Sequence, residues 1–235
     1  MTFVVKFLIS LNRLIQNSRI FDKFTETYTQ HCSDKISDKT AFMKEFTIVR
    51  GLFDNRKRQL IIDDNFIKFD HNDHRKNSFI TINKENIAGI RYGIHFIKGY
   101  KFYIGREYQI FIRNKDNTET KIYFKLFYKR KLSEKHQLFV DIINHLWEKY
   151  FNEILNSYIQ KLKNKESFEL AGITILNDRI QFNKKEILFD DLAIKKYHHY
   201  FMIYSKQDNY NNKLLYHLKD KDAIILQNLL TNSIQ

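Results

Sequence analysis

Twice in this chain of 235 residues, apolar side chains spaced by two give way to apolar side chains spaced by three and four. Alternation by two buries one face of a pleated strand, whereas the three-four spacing builds one stripe along a helix. From position 46, Phe46, Ile48, Leu52, Leu60, Ile62, Phe66, Ile67 and Phe69 follow the strand spacing, and Asp63-Asp64-Asn65 supplies a turn. The same spacing predicts strands at 78–83, 87–97, 101–105, 107–113 and 118–128, with 114–117 as a hairpin loop. The period then changes. Leu138, Phe139, Ile142, Ile143, Leu146, Trp147, Tyr150 and Phe151 form one stripe, continued by Ile154, Leu155, Tyr158, Ile159 and Leu162. A helix capped by Ser133 and running to about 164 is expected, either continuous or broken near 151.

Strand spacing resumes at Phe168, Leu170, Ile173, Ile175, Ile180 and Phe182. Strands are expected at 186–189, 192–197, 199–205 and 213–218, and a last helix over 220–234 capped by Asp220. The two stretches align in kind. Leu60-Ile-Ile-Asp-Asp-Asn-Phe-Ile-Lys-Phe69 lies over Ile173-Thr-Ile-Leu-Asn-Asp-Arg-Ile-Gln-Phe182, each a strand, an acidic or Asn turn and a second strand ending on Phe. The segments 80–92 and 186–197 each read as strand, acidic turn and strand closing on a basic residue and Tyr. Tyr108-Gln-Ile-Phe-Ile-Arg113 corresponds to Tyr200-Phe-Met-Ile-Tyr-Ser205. Both copies end in an amphipathic helix, so a duplicated unit is the reading.

This order resembles the tandem PH-like (pleckstrin-homology-like) domain proteins of bacteria, most clearly over 151–235. The carrying segments are Glu166-Ser-Phe-Glu-Leu-Ala-Gly-Ile-Thr-Ile175 and Lys184-Lys-Glu-Ile-Leu-Phe-Asp-Asp-Leu192, with Phe189 standing where that group has Trp. The resemblance implies an α+β fold: two PH-like antiparallel β-barrel or sheet units, each closed by a C-terminal helix, joined by a long helix. The divisions expected are an N-terminal helical segment over 1–45, a first unit over 46–150, and a connecting helix with the second unit over 151–235. In 1–45, Val4, Phe7, Leu8, Leu11, Leu14 and Ile15 share one helical face, suited to packing on the protein's own core or lying on a membrane. The resemblance implies a fold and no activity.

Composition enters through charge. The formal net charge is +13, and residues 46–131 hold 19 basic and 9 acidic side chains, a surplus of ten. A general lysine bias would spread such an excess. Its concentration suggests an acidic partner, with a solvated basic surface as the plain alternative. Three basic groupings stand out: Arg56, Lys57 and Arg58 before a strand; Lys98, Lys101 and Arg106 in an aromatic-rich meander; and Lys129, Arg130 and Lys131 before the helix. Loops at one end of a unit would gather them into an anion-binding rim. The interleaved Tyr92, Phe96, Tyr100, Phe102, Tyr103 and Tyr108 suit base stacking, but aromatic residues in strands more often face a core.

Other groups read as structure. His71-Asn-Asp-His74 offers metal donors at an unspecific spacing. His198 and His199, adjacent in a strand, point to opposite faces. Asp63-Asp64 and Asp190-Asp191 fall at turns, where Asp is common. Cys32, the one cysteine, permits no disulfide framework and fits a reducing cytoplasm. Residues 1–11 lack the pattern of a secretory signal, and no run of about 18 uncharged apolar residues suggests a membrane span. No cofactor, metal or catalytic group is expected. The reading is a cytoplasmic binding protein, an adaptor or immunity-type factor, that recognises an acidic protein through a strand edge, groove or basic rim. Anionic membrane lipid is the alternative, and nucleic acid a weaker one.

Overall fold

A computed structural model describes residues 43–51, 54–71, 78–128, 131–208 and 210–233. The described residues all fall within one compact unit, Ala41–Gln235. Four strands come first: β1 (Lys44–Val49), β2 (Lys57–Ile62), β3 (Phe66–Asp70) and β4 (Phe79–Asn83), antiparallel in that order. Their alternation puts Phe46, Ile48, Leu60, Ile62, Ile67 and Phe69 on one buried face. A 3-10 turn, Lys84–Asn86, redirects the chain into β5 (Ile87–Lys98), β6 (Tyr103–Asn114) and β7 (Glu119–Phe127), a second antiparallel sheet. Next come α1 (Leu132–Leu146), a π-helical turn at Trp147–Phe151 and α2 (Asn152–Lys163).

The element order is then repeated with shorter strands. β8 (Phe168–Leu170), β9 (Ile173–Ile175), β10 (Arg179–Phe182) and β11 (Lys185–Leu188) form a four-stranded sheet. A 3-10 turn, Phe189–Asp191, leads to β12 (Leu192–Lys196), β13 (Tyr200–Ser205) and β14 (Asn212–Tyr216), and α3 (Ala223–Ser233) ends the described chain. Equivalent hairpins share their inner residues: Ile62 faces Ile67 in the first, and Ile175 faces Ile180 in the second.

The expected closed barrels do not form. The chain makes four separate antiparallel sheets, and no ladder joins them among the described residues. The 3-10 corners explain this. In the first, the Lys84 N–H donates to the Asn65 carbonyl at 2.8 Å and the Lys115 N–H to that of Asn86 at 2.8 Å, so the corner is tied to two turns rather than to a strand. One backbone bond, from the Lys125 N–H to the Arg50 carbonyl (2.6 Å), crosses between the first two sheets without starting a ladder. No helix precedes β1 among the described residues, and the helix expected over 4–15 lies outside them. Two helix starts also move. α1 begins at Leu132 behind Lys131, which is left-handed at φ 56°, rather than at a Ser133 cap. Asp220 accepts the Tyr216 N–H at 2.6 Å and so closes a turn ahead of α3 instead of capping it. Among the described residues no helix is long and apolar enough to cross a membrane.

Both halves share one contiguous core, from Phe46 to Leu230. The outer face of the β5–β6–β7 sheet is where the second half rests on the first. Arg113 pairs with Asp222 at 2.5 Å, Arg91 donates to the Leu218 carbonyl, and the Leu218 side chain lies over Gly93. Phe96 of β5 meets His199 of the β12–β13 turn edge to face, with ring centroids 5.4 Å apart.

Candidate partner-binding site

The β5–β6 hairpin runs past the end of the core, and this decides what its tip exposes. Gly99 closes the turn, its N–H donating to the Phe102 carbonyl at 2.7 Å. At the base, Phe96 packs against Tyr103 with centroids 5.4 Å apart, and the Arg106 guanidinium lies 5.2 Å over the Phe96 ring. Beyond that base the aromatic side chains have no core to enter. Tyr100 is 92% exposed, Phe102 65% and Tyr103 65%; Tyr128, just past β7, is 69% exposed. The Tyr128 N–H donates to the Ile104 carbonyl at 2.9 Å, so the end of β7 lies beside the hairpin. Monomeric surfaces rarely leave several large aromatic side chains bare in one place.

The nine basic residues singled out in the sequence separate into different environments. Lys98 and Lys101 are exposed on the hairpin, with the Lys101 Nζ 5.5 Å from the centre of the Tyr100 ring. Lys131 is exposed beside Glu134 at 3.2 Å. These three and the half-buried Arg106 lie at the aromatic end of the sheet. Lys129 and Arg130 lie outside the described residues. The Arg56 group belongs to the β1–β2 connection. There Lys57 is exposed, Arg56 pairs with Asp70 at 2.6 Å, and Arg58 is 1% exposed and pairs with Asp54 at 2.9 Å. Arg58 therefore serves the β1–β2 connection from inside and offers no charge to a rim.

A second basic and aromatic cluster, not singled out in the sequence, covers the outer face of β6 and β7. Three cations surround the Tyr123 ring: Arg50 at 4.5 Å, Lys121 at 4.8 Å and Lys125 at 5.7 Å. Glu107 lies among them, taking hydrogen bonds from Lys121 at 3.0 Å and Gln109 at 2.8 Å. Burial pushes the Glu107 carboxyl up, but these bonds and the charges of Lys121 and Lys125 outweigh it, and the net shift is downward. The signal in the sequence was available: Lys121, Tyr123 and Lys125 alternate on one face of β7.

The remaining candidates hold structure. Asp63 accepts the Asn65 N–H at 3.2 Å, and Asp64 pairs with Lys149 at 2.6 Å. Asp191 accepts the Ser205 hydroxyl and, at 3.0 Å, the Gln207 N–H, which ties the second corner to the β13–β14 loop. His71 stands edge-on to Phe69, while Asp73, His74 and Cys32 lie outside the described residues. Among the described residues no group of three His, Cys, Asp or Glu side chains is arranged to hold a metal ion. The chain matches no protein-family model and no curated protein.

Proposed function

We propose that this chain is a non-catalytic binding protein that recognises an acidic protein partner through the tip of the β5–β6 hairpin. One observation carries the reading. Tyr100, Phe102, Tyr103 and Tyr128 stand exposed among Lys98, Lys101 and Lys131. Tyrosine contributes large, rigid contact area and is enriched in the few residues that dominate protein interfaces. Lysines around it speed encounter with an acidic surface and disfavour basic ones. The concentrated surplus of ten positive charges in 46–131 supports the same choice. An adaptor or immunity-type role follows as the class of function such a site serves.

The test compares the wild type with a Tyr100→Ser, Phe102→Ser, Tyr103→Ser variant as bait in native lysate, with captured proteins quantified by mass spectrometry. All three side chains are exposed, so the variant should fold. The expected result is an acidic protein retained by the wild type and reduced by about tenfold or more with the variant. Equal recovery from both baits would refute the role of the tip. A second reading, binding to anionic lipid, is favoured by a specific feature: no carboxylate interrupts the segment from Lys98 to Arg106. Co-sedimentation with phosphatidylserine vesicles at low and high salt separates the two, since a protein interface needs no vesicle.

A further inference from the structure

The two three-stranded sheets occupy equivalent places in the repeated element order, yet among the described residues only one outer face is covered. On β5–β6–β7 the segment Leu218–Asp222 is the cover. Leu218 fills the space left by Gly93, and Asp222 pairs with Arg113 at 2.5 Å. The cover thus has a simple chemistry: one apolar side chain on the sheet, and a carboxylate four residues later meeting a cation at its rim. On β12–β13–β14 the outer face presents Met202 opposite Leu214 and Tyr200 opposite Tyr216, with Lys195 opposite Met202 on the other side. Leu214 is 44% exposed, although leucine on the inner face of the same strand, Leu215, is 1% exposed. Tyr197 and Tyr200 stack with centroids 4.6 Å apart, and Tyr200 meets Tyr216 at 5.4 Å. Lys195 lies over Tyr197 at 5.6 Å and Lys219 over Tyr216 at 5.0 Å. Two exposed cations, Lys195 and Lys219, flank this apolar face, and the one carboxylate at its edge, that of Asp220, is taken up by the Tyr216 N–H at 2.6 Å.

From the covered sheet we infer what the open one takes: the outer face of β12–β13–β14 is a docking surface for an extended acidic segment of a partner protein, with an apolar side chain seated between Met202, Leu214 and Tyr216 and carboxylates at Lys195 and Lys219. A second copy of this chain does not fit. Its own segment of this chemistry, Leu218–Asp222, is engaged on β5–β6–β7, and two chains of net charge +13 repel. Charge complementarity selects an acidic partner, and the apolar centre supplies the area that a purely ionic contact lacks. The inference deepens the proposed binding role but uses a surface apart from the hairpin tip, so either can fail alone.

The probes are fluorescein-labelled 12-residue peptides: one with a central leucine among Asp and Glu, one with that leucine replaced by serine, and one with the acidic residues replaced by lysine. Anisotropy titration with the full chain should show saturable binding of the acidic leucine peptide only. Chemical-shift changes should centre on Lys195, Met202, Leu214 and Tyr216. Leu214→Glu places a carboxylate at an exposed position and should weaken binding about tenfold or more. Lys195→Glu should weaken it with no change in thermal stability. The Tyr100→Ser, Phe102→Ser, Tyr103→Ser variant should bind the peptide like the wild type, which separates this surface from the tip. The inference is overturned if the acidic leucine peptide does not bind. Equal binding of all three peptides, or binding untouched by Leu214→Glu, also overturns it. So does broadening of Leu214 and Tyr216 signals by phosphatidylserine vesicles without peptide binding, which assigns the face to a membrane.

Discussion

Gly89 and Gly93 lie four residues apart on β5, and the second half of the chain rests on both. A Cβ at Gly89 would run into the Asp222 carboxylate and come within 2.7 Å of Arg113 Nη2, two groups locked to each other in an ion pair. Neither can swing aside without breaking the pair, so Gly89→Ala is expected to destabilise the protein by about 1–3 kcal/mol. Gly51 is the control: a Cβ there meets Lys125 Cβ at 3.7 Å, an ordinary contact, and Gly51→Ala should leave the urea midpoint nearly unchanged. Equal effects of the two substitutions would contradict the role assigned to Gly89. Nothing in the sequence marks Gly89 as a seat, because its partner is more than a hundred positions away and enters from outside the sheet. At Gly105 the sequence reading and the structure part. The sequence reading splits 101–113 into two strands beside it, yet Tyr103–Asn114 is one strand. A Cβ at Gly105 would come within 2.5 Å of the Leu126 carbonyl oxygen, so the glycine permits close approach of β7 rather than ending β6.

Among the elements, strands with one buried face were legible because their alternation is an imprint of that burial; Leu60, Ile62 and Ile67 announce both the strands and their shared face. The tip of the β5–β6 hairpin was not. Aromatic residues in strands usually face a core, and by that rule Tyr100, Phe102 and Tyr103 are expected inside. The adjacent Phe102 and Tyr103 were the warning, since neighbours in an extended chain cannot both turn inward. The long helix gave a similar half-answer. Its stripe continues through 151, but the chain makes a π-helical turn at Trp147–Phe151 between two α-helical stretches. That turn aims its side chains at the sheets. Trp147 Nε1 donates to the Tyr92 hydroxyl at 3.1 Å, and the Tyr150 hydroxyl lies between the carbonyls of Asp63 and Phe66 in the β2–β3 turn. Burial pushes the Tyr150 hydroxyl's pKa up, so it stays a donor across the ordinary pH range. Tyr150→Phe keeps the ring but removes the hydroxyl donor from the Asp63 carbonyl, while the Phe66 carbonyl keeps the Asp63 N–H at 3.0 Å, and is expected to cost about 1–2 kcal/mol in urea unfolding. A variant as stable as the wild type would mean that the π-helical turn is fixed by packing alone.

At the scale of the whole molecule, one core running through both halves implies that they unfold together, and partly buried histidines, His199 among them where the halves meet, make that transition sensitive to pH. His199 lies against Phe96, and His217 stacks on Phe201 at 6.2 Å with its Nε2 2.9 Å from Gln227 Oε1 of α3. Burial is the first cause lowering the pKa of both, with neighbouring histidines adding to it; the Gln227 bond opposes the shift at His217 without reversing it. His136 and His145 on α1 are lowered by burial as well. A histidine lowered in the folded state binds fewer protons there than in the unfolded chain. Its contribution to stability is therefore whole above the ordinary value of 6.5 and is lost as pH falls through that value toward the folded pKa. The thermal midpoint should accordingly fall by at least about 2 °C between neutral pH and pH 5, in a single transition for the residues from 43 onward. His217→Gln replaces the titrating ring with an uncharged hydrogen-bonding group and should make that fall shallower, even if it lowers the midpoint at neutral pH. Hydrogen exchange read peptide by peptide supplies the second measurement: β6 and β13 should lose protection at the same pH and denaturant concentration. Independent loss in the two strands, or a midpoint that rises on acidification, would show that the halves do not share one cooperative core.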